Sequence, residues 1–271
     1  MSEPPSAASL DLTADRARVV VEPTGSRVRS LVVDGHELLV APGDDPLLWG
    51  CYPMAPWAGR LDHGRFRFDG ERFEVPIDLP PHAIHGLGVH QVWERSGDGF
   101  QMDLGGLWPL GGRVVTRFEL TGQALTMQVE VTADDRSMPV VLGWHPCFRR
   151  CLEQDRPVAV DFAPGRWWVR GADGLPTGET ATPPSGPWDD CFDGVERAPT
   201  LTWPSRLTVT LEADTGTWVV YDERDHTVCV EPQTAPPDAF NKGGAKILAP
   251  GEPTALRFTI AWGGPAPEGP A

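Results

Sequence analysis

Apolar and polar residues alternate with a period of two through most of this chain, and glycine, proline or aspartate breaks the alternation every few residues. Successive side chains of a strand point to opposite faces, so such alternation specifies half-buried strands, and turn residues between them specify hairpins. Segments 18–21, 27–33 and 37–40 read as a first meander. The runs Arg65-Phe66-Arg67-Phe68 and Arg72-Phe73-Glu74-Val75 flank Asp69-Gly70-Glu71, and aspartate followed by glycine is a strong hairpin signal. Further alternating runs occupy 91–96, 100–104, 114–120, 125–132, 207–212, 217–221, 227–231 and 255–261. No segment carries a convincing helical period with caps, and 30 glycines and 29 prolines suit a fold rich in turns. The expected fold class is therefore all-β: a large antiparallel β-sandwich of many short strands.

No linker-like break in composition divides the 271 residues, which are enough to bury a substantial core, so one domain spanning 1–271 is expected. Residues 1–10 and 264–271 are expected to be loosely held. Segment 171–187, rich in glycine, proline and threonine, is expected to form a long surface loop near the functional site. A net charge of −15 argues against nucleic acid or anionic membrane as a partner, because those surfaces are bound by lysine and arginine clusters. A neutral or small partner follows. The acidic surface shows no clear hydrophobic patch from which to infer an oligomeric state. The cysteines Cys51, Cys147, Cys151, Cys191 and Cys229 are odd in number and include no Cys-x-x-Cys pair, which predicts reduced, mostly buried thiols. Met1-Ser2-Glu3-Pro4-Pro5 lacks a basic and apolar leader pattern, and no stretch approaches the ~18 consecutive apolar residues of a membrane helix. A cytoplasmic location is the expectation.

Three segments carry groups suited to proton transfer. Glu231 is the only acid in Val228-Cys229-Val230-Glu231-Pro232-Gln233-Thr234, at the end of an apolar run, where a carboxylate is costly unless hydrogen-bonded or put to chemical use. His85 opens a glycine turn in His82-Ala83-Ile84-His85-Gly86. His145 ends the apolar run Val140-Val141-Leu142-Gly143-Trp144 just before Pro146, a proline expected to stop the strand and fix the imidazole's direction. Two histidines and one glutamate are a minimal set for moving a proton at each end of a small polar substrate. Each has an ordinary alternative: a histidine beside glycine or proline is more often a hydrogen-bonded turn residue than a catalyst. Arg60, in Pro56-Trp57-Ala58-Gly59-Arg60, reads first as half of a loop salt bridge. The acids of Trp188-Asp189-Asp190-Cys191-Phe192 suit a solvated loop, although an aspartate between aromatic residues is also able to hold sugar hydroxyls. Eleven tryptophans in an acidic chain are suggestive in the same way, since indole faces stack on the C–H faces of sugars, but most are expected in the core.

The ordered set Gly59-Arg60, His85-Gly86, His145-Pro146-Cys147-Phe148, Asp189-Asp190-Cys191-Phe192 and Glu231-Pro232-Gln233-Thr234 resembles the aldose 1-epimerases, or galactose mutarotases, over roughly residues 15 to 262. The resemblance implies a galactose-mutarotase-like (supersandwich) fold whose open cleft binds a free monosaccharide and interconverts its α and β anomers, with no metal or organic cofactor. It implies that His145 protonates the ring oxygen, that Glu231 takes the proton of the C1 hydroxyl, and that His85 hydrogen-bonds the substrate near the ring oxygen. Arg60, Asp189 and Trp144 fall in the expected sugar-binding set. Relatives acting on hexose 6-phosphates commonly carry an arginine three residues after the glycine of the His-Gly turn. Here that position is Val89, which weakens a phosphosugar reading, although Arg60 or Arg95 is available to compensate. His82 and His90 have no counterparts and read as loop residues. A non-catalytic sugar-binding protein of the same fold is a second alternative. A cupin-like metal site built from His82, His85 and His145 is a third, and it lacks the usual His-x-His pair.

Overall fold

The computed structural model describes residues 8–153 and 156–263. Two large antiparallel sheets dominate, as the alternation requires. One has eleven strands. Its central path runs from Ala17–Glu22 and Arg27–Val33 through Cys51–Met54, Gly143–Arg149 and Thr227–Gln233 to Thr217–Tyr221, Asp189–Asp193 and Arg166–Arg170. The other has eight strands, centred on Arg113–Leu120, Ala124–Thr132, Pro253–Trp262 and Leu207–Ala213. In Ala124–Thr132 the residues Leu125, Met127, Val129 and Val131 are all fully buried while their neighbours are half-exposed. Each such side chain contributes on the order of 1.5–3 kcal/mol through burial, so the alternation itself fixes which face turns inward.

Aromatic contacts join the two sheets. Trp144 meets Phe118 edge-on with ring centroids 6.1 Å apart, and Trp218 meets Phe258 in the same manner at 6.3 Å. The Arg65–Phe68 and Glu71–Glu74 hairpin forms as its sequence specifies, with Asp69 at φ 48° and Gly70 at φ 80°, the left-handed pair a tight hairpin turn demands.

The structure departs from the sequence expectation at several places. Pro146 does not stop its strand: Gly143–Arg149 continues through it. The ladder to Thr227–Gln233 is open between the pairs Gly143/Gln233 and Cys147/Cys229, so the missing N–H of Pro146 costs no bond on that side. Segment 171–187 is not one loop, because Pro176–Ala181 is a strand paired with Arg166–Arg170, and the irregular parts are confined to 171–175 and 182–187. It does approach the site, as expected, through the turn at 171–175. Cys51–Met54 was not legible as a strand because all four residues are buried and nothing alternates. Leu10 opens a strand and pairs with Val21, which corrects the expected loose segment at its end. The rest of that expectation, for 1–7 and 264–271, lies outside the described residues. One helical turn, Ala239–Lys242, is the only α-helix among the described residues. Cys51, Cys147, Cys191 and Cys229 are buried, Cys151 is half-buried, and all five are free thiols. No helix among the described residues is long and apolar enough to cross a membrane.

Candidate active site

The centre of the site is a row across three neighbouring strands of the eleven-stranded sheet. Strand register places Tyr52 directly opposite His145. On the other side, the register that pairs Gly143 with Gln233 and Cys147 with Cys229 sets His145 opposite Glu231. Two residues 86 positions apart in sequence thereby become cross-strand neighbours, and the imidazole Nε2 lies 3.3 Å from the Glu231 Oε1. The Tyr52 ring stacks on the imidazole at 4.8 Å with the planes 10° apart, and its hydroxyl donates to the Leu47 carbonyl at 3.1 Å. The direction of the imidazole is thus set by stacking on Tyr52 and by contact with Glu231, not by Pro146 alone.

The same alternation that turns His145 into the cleft turns Trp144 away from it. Trp144 is fully buried in the inter-sheet core against Phe118 and does not line the cavity. Its expected place in the sugar-binding set is therefore corrected: adjacent residues of one strand face opposite sides of the sheet.

His85 reaches the site from a turn rather than a strand. Its backbone is left-handed, with φ 59°, and its N–H donates to the Gly59 carbonyl at 3.1 Å. The following Gly86 passes so close to Ala55 that a β-carbon there would fall 2.0 Å from the Ala55 carbonyl oxygen. The turn delivers the His85 ring edge-on to His145, centroids 4.8 Å apart, and leaves His85 Nδ1 buried with no hydrogen-bond partner among the described residues. A buried unpaired ring nitrogen is costly unless a ligand or water satisfies it.

Arg60 and Asp189 meet as well. The Arg60 guanidinium donates to Asp189 Oδ2 at 3.2 Å, and Arg170 donates to the same oxygen at 2.9 Å. Arg170 also lies 3.2 Å from Asp190 Oδ1, which accepts a further bond from the Trp167 indole. The ordinary reading of Arg60 as half of a salt bridge is thus realised, but inside the site. Asp189 is held by two arginines, with lone pairs remaining to accept a hydroxyl proton.

These groups border an open cavity of about 230 Å³, roughly the size for one monosaccharide, lined among others by His85, His145, Arg60, Asp189 and Glu231. Burial governs its electrostatics. It pushes Glu231 well above the usual carboxylate range, with the nearby Asp189 charge adding to the effect and the Gln233 amide and Arg60 opposing it. Burial lowers His145 to about 3, with a small further push from the Arg27 cation against a backbone hydrogen bond that favours the charged ring. His85 is lowered well below its ordinary value, first by burial and then by its histidine and arginine neighbours. Contact at 3.3 Å suggests an ion pair, yet both groups are driven toward neutrality. The pair is best described as a hydrogen bond holding one proton between a carboxyl and an imidazole.

Tyr52, Gln233 and Arg170 belong to the site but were not singled out in the sequence. Gln233 sits in the Glu-Pro-Gln-Thr motif and donates to Glu231 Oε2 at 3.4 Å, so the motif held a readable signal. Tyr52 and Arg170 carried none, since only sheet register brings them in. His82 joins neither His85 nor His145: it is buried outside the cavity lining, which breaks up the cupin-like set, and His90 is exposed. His85, His145 and Glu231 do place three ligand-capable atoms within 4.8 Å of one another.

A family model described as aldose 1-epimerase matches residues 9–261. Among solved structures, a galactose mutarotase-like protein from Clostridium acetobutylicum superimposes with a TM-score of 0.83 at 19% identity, covering 94% of this chain and 95% of that one. A galactose 1-epimerase from Lactobacillus acidophilus NCFM gives a TM-score of 0.76 at 16% identity, covering 94% of each chain. The uncharacterized protein YphB of Escherichia coli (strain K12) is 30% identical over 107 residues, so this chain spans 36% of the length of that curated relative.

Proposed function

The chain belongs to the aldose 1-epimerase family, and from that premise we propose that it interconverts the α and β anomers of a free aldose by acid–base ring opening and reclosure. The observation that carries this reading is the buried His145–Glu231 pair, 3.3 Å apart at the floor of a monosaccharide-sized cavity. The shared proton first passes from Glu231 to His145; the imidazolium then protonates the ring oxygen while the Glu231 carboxylate takes the C1 hydroxyl proton. The bond from C1 to the ring oxygen breaks and a carbonyl forms at C1. Rotation about C1–C2 and attack from the other face close the ring, with Glu231 returning its proton to O1 and His145 recovering its own. The pair holds one labile proton as imidazolium and carboxylate, and one as imidazole and carboxylic acid. Net charge in the buried site is unchanged throughout, and burial makes such constancy valuable. His85, with its unpaired Nδ1, is a hydrogen-bonding partner for the sugar near the ring oxygen.

A free aldose is favoured over a phosphorylated one. Val89, at the position where hexose 6-phosphate relatives carry arginine, is buried in a small core with Tyr52 and Met54. Arg95 lies in the other sheet and bonds the Gly97 carbonyl, and Arg60 is already paired with Asp189. Arg224 donates to the Tyr221 hydroxyl at 2.7 Å and shares the cavity lining with the acids Asp45 and Glu223, a poor setting for a dianion.

Polarimetry of freshly dissolved α-D-galactose and α-D-glucose tests the proposal. Acceleration of mutarotation with at least one sugar is expected, and no acceleration with either would move the reading to a rarer or phosphorylated sugar or to binding without catalysis. Arg60→Ala is expected to raise KM about tenfold with kcat nearly unchanged, because a hydroxyl-holding contact is shared by ground and transition states. A fall in kcat at constant KM would give Arg60 a transition-state role instead.

A further inference from the structure

Outside the sugar cavity, Asp62, His63 and His82 bring one carboxylate and two imidazoles together, with a ligand-capable atom of each within 4.8 Å of the others. None of the three lines the sugar cavity. From this cluster we infer a second site: a divalent transition-metal site, of the Zn²⁺ class, held by Asp62 Oδ1, His63 Nδ1 and His82 Nδ1.

Hydrogen bonding fixes the His82 tautomer. Its Nε2 lies 2.9 Å from the Asp173 carbonyl, which accepts only, so Nε2 carries the proton. Nδ1 is left as a lone pair, accepting a long 3.2 Å bond from the His63 backbone N–H. That lone pair stands 3.5 Å from Asp62 Oδ1, another acceptor, with no proton for the two to share. Without an ion the two acceptors are kept together by the His63 backbone N–H on His82 Nδ1 and the His63 ring on Asp62 Oδ1, and a cation between them would take the place of both donors. Metal bonds of about 2.0–2.1 Å in tetrahedral geometry put neighbouring ligand atoms roughly 3.3–3.4 Å apart, close to the separation present here. The Asp173 carbonyl behind His82 also supplies the outer hydrogen bond that metal-ligating histidines characteristically make.

The third ligand is the adjustable one. His63 Nδ1 is 2.6 Å from Asp62 Oδ1, nearer than two ligands of one metal lie, but His63 and Asp62 are about half exposed, at 56% and 46% of their side-chain surface. Exposure leaves the His63 ring free to swing, opens a path for entry, and leaves the remaining coordination positions to water. His63 has a left-handed backbone, φ 47°, in the short turn Asp62–Gly64, which presents its side chain and that of Asp62 to the same point as His82. A bound ion would tie this turn to His82 and, through Asp173, to the 171–175 turn whose Gly174 lies against the Arg60 guanidinium.

Calorimetric titration of EDTA-treated, gel-filtered protein with ZnCl₂ tests the inference independently of the sugar reaction. Expected results are one Zn²⁺ per chain and a rise in Tm of roughly 5–10 °C at a hundredfold excess over Kd. Asp62→Asn and His63→Ala, both at exposed side chains, are each expected to weaken binding at least about 100-fold. Glu231→Gln is expected to leave it unchanged. Absence of binding at millimolar Zn²⁺, binding that survives both Asp62→Asn and His63→Ala, or binding lost in Glu231→Gln would each overturn the assignment. The last outcome would move the ion to the His85, His145 and Glu231 set.

Discussion

Glu231→Gln is expected to lower kcat for mutarotation by about 10²- to 10⁴-fold while changing sugar affinity little. The amide keeps the shape of the carboxyl and most of its hydrogen bonding, including contact with Gln233, but takes up no proton from the C1 hydroxyl. Stopped-flow polarimetry for kcat, with calorimetry for sugar binding, separates the two effects. A variant within about threefold of the wild-type rate would remove Glu231 from its role. The same substitution carries a stability signature. Burial raises Glu231 in the folded protein above its unfolded value of 4.5, so its contribution to stability is fully present below pH 4.5 and is lost as pH rises through the folded value. Glu231→Gln removes that alkaline loss, and its denaturation midpoint is expected to fall less than the wild type's between pH 5 and pH 9. His145 works in the opposite sense. Lowered from 6.5 to about 3, it contributes stability above pH 6.5 that is lost as pH falls toward 3, and His145→Asn is expected to abolish this part of acid destabilisation. A site residue that costs stability when ionised is the usual signature of a group retained for chemistry.

Gly86→Ala is expected to be the most damaging small substitution near the site, with a loss of about 3–5 kcal/mol. Gly86 has φ 79°, and its added β-carbon would sit 2.0 Å from the Ala55 carbonyl oxygen, which already accepts the Leu87 N–H. The strand Cys51–Met54 ends just before Ala55, so relief of the clash displaces both the His85 turn and the strand that carries Tyr52. Gly70→Ala provides the comparison. It has nearly the same backbone, φ 80°, but nothing within 4 Å of the new β-carbon, and it should cost only about 1–2 kcal/mol for the left-handed conformation. Urea denaturation of the two variants measures the difference, which is the steric part alone. Equal losses would show that the turn at Gly86 moves freely, and His85 would then be positioned by something other than this close approach.

The fold was legible wherever one face of a strand is buried and the other wet. Ala124–Thr132 and the hairpin across Asp69 and Gly70 read directly from alternation and turn chemistry. Legibility failed where that contrast vanishes. Cys51–Met54, buried on both faces, shows no alternation, and Pro176–Ala181 forms in a glycine-bearing segment through its pairing with Arg166–Arg170. Pro146 read as a strand end because proline lacks an N–H, but where the ladder is already open the lack has no consequence. Among the site residues, His85, His145 and Glu231 stood out because ionisable groups in apolar or glycine-turn contexts need a reason to be there. Trp144 lies in the core although His145 beside it enters the cleft, because a strand sends neighbours to opposite faces.

Local chemistry determined the strand content, the hairpin turns and the chemical nature of three site groups, since each depends only on a residue and its immediate neighbours. Tertiary structure alone decided that His145 faces Glu231, that Tyr52 stacks behind the imidazole, that Arg170 joins Arg60 on Asp189, and that His82 turns away to meet Asp62 and His63. The physical reason is that these contacts follow from the register and order of strands far apart in the chain. Register is chosen by which apolar faces of the whole sheet are buried together, a property of the assembled core that no single segment contains.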